Sequence, residues 1–143
     1  PAASPPYMFS GPQRGDVIVF VSPLIEGSYL VKRLIGLPGE VVRVIAGRVS
    51  INGTLLDEPY VKFGDDYDYP SADQSGRVPD NAYFVLGDNR PASGDSHYGW
   101  WVPAENLVGK AIYPLPQGWL PYWSMPQTDT NREGAPRPKA HGA

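Results

Sequence analysis

Tyr29-Leu30-Val31-Lys32-Arg33-Leu34-Ile35-Gly36-Leu37-Pro38-Gly39-Glu40 is an apolar run with two cations at its centre and a Gly-x-Pro-Gly turn at its end. Leu30 to Leu37 reads as a strand rather than a helix. Strand alternation places Leu30, Lys32 and Leu34 on one face and Val31, Arg33 and Ile35 on the other. A charge on so hydrophobic a strand is costly to bury. Lys32 therefore either reaches back to water or is held neutral for use as a base. Free lysine titrates near ~10.4, so a base at neutral pH needs a drop of about 3 pH units, roughly 4–5 kcal/mol. Full burial supplies ~3–5 pH units and partial burial does not. The rival reading is an edge-strand lysine that blocks aggregation.

The rest of the chain continues the β pattern. Asp16 to Val21 is β-branched and apolar and reads as a buried strand. Val41 to Ile45 and Arg48 to Ile51 follow, with Ala46-Gly47 as a tight turn between them. Asn52-Gly53 is a strong hairpin signal leading into Thr54-Leu55-Leu56. Gly64 to Pro79 carries Asp65, Asp66, Asp68 and Asp73 and reads as a surface excursion. Ala82 to Leu86 is another strand, Pro103 to Asn106 a single helical turn, and Leu107 to Tyr113 a last strand. Sixteen glycines and 17 prolines suit many short strands better than helices. The expected class is all-β, with short antiparallel strands and long loops. The divisions are an arm over 1–12, a β domain over 13–113, an aromatic and proline-rich extension over 114–127, and a disordered tail over 128–143.

Composition narrows the function. The 143 residues are 41% hydrophobic and 19% charged, which suits one folded domain with a modest core. The net charge of -3, with no basic run beyond Lys32-Arg33, argues against nucleic acid as a partner. The chain has no cysteine, which excludes disulfides and zinc-thiolate sites. No apolar stretch approaches the ~20 residues that span a bilayer, and no signal-peptide pattern is present. A start at Pro1 without methionine is expected of a processed form or an excised piece.

A second dense cluster reads Gly87-Asp88-Asn89-Arg90-Pro91-Ala92-Ser93-Gly94-Asp95-Ser96-His97. Asn, Ser and Asp bond to nearby backbone and fix turns, so the plain reading is a well-bonded loop after a strand. Together, this cluster and the Lys-Arg-x-x-Gly-x-Pro-Gly run resemble the two lysine-side boxes of the type I signal peptidases. These are membrane-bound Ser/Lys endopeptidases that remove signal peptides from exported proteins. Arg14-Gly15-Asp16-Val17-Ile18-Val19-Phe20 resembles the same family's Arg-Gly-Asp strand. An integrin-type reading of that tripeptide is poor, because it opens a buried strand.

The resemblance covers about residues 8 to 113 and implies a signal-peptidase-like β fold. It implies Lys32 as general base and Ser93 as the hydroxyl that orients its amine. Asp88 and Asp95 would form ion pairs that fix the loop, Arg33 partnering one of them. Asn89, Arg90 and Ser96 would be structural. Leu30 and Val31 would line the shallow pocket behind the family's preference for Ala-x-Ala before the cut. No metal or cofactor is implied. The implied partners are preprotein signal peptides and a membrane surface, at the extracytoplasmic face of a bacterial-type plasma membrane. His97 departs from the commonest pattern, which has arginine there, and would weaken a salt bridge to Asp95 above pH ~6.5. A Ser96-His97-Asp95 triad is rejected, because near-consecutive residues cannot face one another as a triad requires.

The family's nucleophile lies in a Ser-Met-x-Pro-Thr box upstream of the Arg-Gly-Asp strand, after one or two membrane-spanning helices. The 13 residues before Arg14 contain no such box. Trp123-Ser124-Met125-Pro126-Gln127-Thr128 echoes it in the wrong order and at the far end. The expectation is therefore that an upstream segment or partner supplies serine and anchor, and that these 143 residues alone do not cleave. Two alternatives stand beside this. One is a non-catalytic subunit of a membrane assembly that kept the fold and lost the serine. The other is the self-cleaving repressor family, which shares Ser/Lys chemistry but fits the Gly-x-Pro-Gly turn and the long second box poorly. Tyr113, Trp119, Tyr122 and Trp123 among prolines suggest a segment that docks on lipid headgroups, or else caps the core or contacts a partner subunit.

Overall fold

The structure is a computed structural model and describes residues 11–111. Most of the arm, the end of the last expected strand, the aromatic stretch 113–123, the echo at Ser124 and the tail lie outside the described residues.

Among the described residues eight short strands form: β1 (Val17–Val21), β2 (Tyr29–Gly36), β3 (Val42–Ile45), β4 (Arg48–Ile51), β5 (Thr54–Leu55), β6 (Ala82–Leu86), β7 (Val102–Pro103) and β8 (Leu107–Lys110). They make a five-stranded sheet in the order β7-β6-β2-β1-β8 and a three-stranded sheet in the order β3-β4-β5, all antiparallel. The all-β class is what the sequence pattern called for. Turn chemistry explains the small sheet. Ala46 and Gly47 have φ of 48° and 74°, and Asn52 and Gly53 have 50° and 84°. Two successive positive φ values give the mirror-image turn that matches strand twist.

β2 is the central strand, pairing with β1 through Ile18↔Lys32 and with β6 through Leu34↔Val85. The edge-strand reading of Lys32 is therefore wrong: both edges of β2 are occupied. Both faces of β2 are occupied as well. Leu30 and Leu34 pack with Ile18, Phe20, Val85 and Val102, whereas Ile35 joins a second cluster with Val42, Val44, Phe84 and Leu86. Burial on two faces is why the run is almost continuously apolar. Gly36 lets the strand meet the small sheet. A Cβ there would lie 2.6 Å from Val42 and 2.9 Å from Phe84.

Two details depart from the sequence reading. The stretch from Gly64 to Pro79 is not purely superficial: its aspartates are exposed, but Tyr69 and Val78 are buried. Tyr69 exchanges backbone hydrogen bonds with Val44 at 2.8 and 2.9 Å. Single apolar residues among acidic ones leave no periodic signal, so the contribution to the core was hidden. β7 was also not expected, since two residues are too few to show a pattern. No helix among the described residues is long and apolar enough to cross a membrane.

Candidate active site

β2 carries Lys32 into the molecule on the face of Leu30 and Leu34, where it is only 3% exposed. The loop after β6 comes back over that face and brings Ser93, itself buried, to it. The Lys32 ammonium nitrogen, Nζ, donates to Ser93 Oγ at 3.0 Å. Burial pushes the Lys32 pKa down from the ordinary 10.5 to about 8, against the field of Asp95, which raises it. Desolvation disfavours the charged form of an amine, and here it outweighs the nearby carboxylate.

Gly87 makes this approach possible. A Cβ at that position would lie 2.2 Å from Ser93 Oγ and 3.7 Å from Lys32 Nζ. Any side chain there would displace the hydroxyl from the amine. The sequence reading counted Gly87 within its motif but gave it no role.

The remaining motif residues hold the loop. Arg33, on the opposite face of β2, forms a two-pronged ion pair with Asp88 at 2.8 and 2.7 Å. It also donates to the Gly15 carbonyl at 2.7 Å and lies 4.1 Å over the Tyr60 ring. Of the two aspartates, Asp88 is thus the partner of Arg33. Asp95 accepts from the Gly87 amide at 2.9 Å and meets the Nδ1 atom of His97. Ser96 Oγ accepts from the Val85 amide at 3.0 Å, tying the loop to β6. The Asn89 carbonyl accepts from Ala92, closing a short turn at 3.1 Å. Arg90 is buried against Glu58, a partner the sequence did not reveal, and donates to the Gly87 carbonyl at 2.9 Å. The Arg-Gly-Asp tripeptide is likewise tied in: Arg14 pairs with Glu40 at 2.6 Å and Asp16 with Lys110 at 3.0 Å.

Beside the Lys32–Ser93 pair lies an open cleft of about 490 Å³. Leu30 and Ser22 are its buried lining, and Leu24 and Tyr98 stand exposed at its rim. Its lining also includes Gly94, the residue next to Ser93. Val31 faces away and is not part of the lining. Among the described residues no cluster of His, Asp and Glu is placed to hold a metal ion. The arrangement offers a buried amine poised to lose its proton, a hydroxyl that fixes its direction, and an apolar trough alongside.

A family model described as "Signal peptidase, peptidase S26" matches residues 3–116. Similar curated proteins include a signal peptidase I of Leptolyngbya laminosa, 42% identical over 114 residues, covering 74% of this chain and 54% of the relative. A probable signal peptidase I-2 of Synechocystis is 38% identical over 136 residues, covering 92% of this chain and 57% of the relative. The chain thus spans about half the length of these relatives. A solved signal peptidase I from Enterococcus faecalis superposes with a TM-score of 0.63 at 40% identity, covering 72% of this chain and 98% of that one.

Proposed function

This chain belongs to the signal peptidase family, peptidase S26, and from that premise we propose that it supplies the general base of a Ser/Lys endopeptidase removing signal peptides from exported proteins. The observation that carries the reading is the buried Lys32 amine at 3.0 Å from Ser93 Oγ, with its pKa lowered to about 8. At that value about one lysine in ten is neutral at pH 7, against fewer than about one in a thousand for a free side chain. Neutral Lys32 takes the proton of a serine supplied by an upstream segment or partner. The resulting alkoxide attacks the peptide carbonyl after a small residue; the peptide C–N bond breaks, the leaving amine takes the proton back from Lys32, and water then hydrolyses the acyl-enzyme and restores the serine. Ser93 orients the amine and does not itself attack. Of the two residues just before the base, Leu30 is read as part of the small-residue pocket, supported by its place in the cleft, whereas Val31 stands outside that lining. The substrates are preprotein signal peptides, met at the extracytoplasmic membrane surface where the serine-bearing segment anchors the domain.

The test uses the domain joined to its serine-bearing segment and an Ala-x-Ala signal-peptide substrate. Lys32→Ala is expected to reduce cleavage by ~100–10,000-fold, the range of general-base assistance. Ser93→Ala is expected to lower it strongly. Near wild-type turnover in Lys32→Ala contradicts the assignment.

A further inference from the structure

Asp95 is fully buried, and both oxygens of its carboxylate are engaged. Oδ2 accepts from the Gly87 amide at 2.9 Å. Oδ1 accepts from the backbone amide of His97 at 3.2 Å and meets the His97 ring at Nδ1. Gly87 is also where Ser93 and Lys32 come close to the backbone. The carboxylate thus reaches the pair in two ways: it holds Gly87, and its field favours the charged form of Lys32.

The His97 ring is held by more than this contact. It packs against Tyr67 from the stretch after β5, with centroids 4.7 Å apart, and against its neighbour Tyr98, at 3.9 Å. Burial keeps the Tyr67 hydroxyl protonated far above neutrality. The Arg90 and Glu58 charges that act on Tyr67 are paired with each other. Among the described residues, Asp95 is thus the charged group that the ring meets directly.

An imidazole ordinarily titrates between pH 5 and 8, so it presents a carboxylate with either a neutral N–H or a cation. A cation cancels much of the carboxylate's field, and a neutral donor leaves most of it standing. We propose that His97 is a positioning residue for the base: its ring holds the Asp95 carboxylate in place, and its charge sets how much of that carboxylate's field Lys32 feels. Protonated His97 frees Lys32 to release its proton, and neutral His97 lets Asp95 hold the proton on the amine. The arginine of the commonest pattern would be a cation at every working pH, so histidine makes this coupling depend on pH. The inference rests on the reading of Lys32 as the base.

The test is an NMR pH titration of the whole 143-residue chain, with lysines labelled at Nζ, in wild type, His97→Arg and His97→Asn. Asparagine offers an amide N–H in place of the Nδ1 donor without a charge, and arginine supplies a permanent charge. His97→Arg is expected to lower the Lys32 midpoint by about half a pH unit, the size expected of one charge acting across a partly buried site. His97→Asn is expected to leave it at or above the wild-type value. His97→Lys and His97→Gln repeat the cation and the neutral side chain, so a variant that folds poorly is replaced by its counterpart. A purely structural role would move the midpoint alike in both classes. Equal midpoints in the cationic and neutral variants, or a higher midpoint with the cation, overturn the proposal. The base assignment fails by a different result, undiminished cleavage in Lys32→Ala, so the two failures are distinguishable.

Discussion

Arg90 and Lys32 are each 3% exposed, and both belong to the apparatus around the loop after β6. At Arg90 the fold supplies a carboxylate. Burial is the largest single influence and opposes the charge, but the Glu58 hydrogen bond, the Glu58 charge and the smaller effects of Tyr67 and Tyr60 together outweigh it and hold the Arg90 pKa above its ordinary value. At Lys32 the amine donates to the Ser93 hydroxyl, and burial prevails over the field of Asp95, leaving the pKa lowered to about 8. The same degree of burial therefore yields a permanent cation in one place and a titratable amine in the other. The difference lies in the partner, not in the depth. A guanidinium suits the first role because it stays charged and grips a carboxylate with two prongs, and an amine suits the second because it gives up its proton.

Breaking the Arg90 side should have the larger effect on stability. Glu58→Ala strands a buried guanidinium, and removing one partner of a buried pair typically costs ~3–5 kcal/mol. Urea unfolding of the variant is expected to show a loss of that order. A loss under about 1 kcal/mol would mean that Arg90 finds water or another acceptor, and the contrast with Lys32 would weaken.

Breaking the Lys32 side should do the reverse. The unfolded lysine titrates near 10.5 and the folded one near 8. Below pH 8 both states hold the proton, and the fold bears the full cost of the buried charge, about 3 kcal/mol at about 1.4 kcal/mol per pH unit. Between pH 8 and 10.5 the unfolded state binds more protons, so stability climbs with pH. Above 10.5 the cost is gone. Lys32→Met is therefore expected to stabilise the domain by up to about 3 kcal/mol at pH 7, with the gain shrinking to near zero by pH 10.5. Destabilisation at pH 7 would show that the amine is well compensated.

The two sides also differ in how far they could be read from the chain. The strands were legible because β-branched runs and Gly-containing turns act locally: Asn52-Gly53 adopts the positive φ values that its residue types favour. The meeting of Lys32 with Ser93, and of Arg33 with one of the two aspartates, was expected through the resemblance of two motifs. Glu58 and Trp100 were not legible. Their partners, Arg90 and Phe20, are brought close by tertiary packing, and neither residue stands in a periodic or motif context of its own. Tyr69 and Val78 were hidden for the same reason, each a lone apolar residue in a polar stretch.

The central claim is that burial makes Lys32 a base that works near neutrality, and it can be measured at the atom. With lysines labelled at Nζ, an NMR pH titration of the folded chain follows the Lys32 signal separately from Lys62, Lys110 and Lys139. A midpoint near 8 for Lys32 agrees with the claim, and a midpoint at or above its ordinary 10.5 contradicts it.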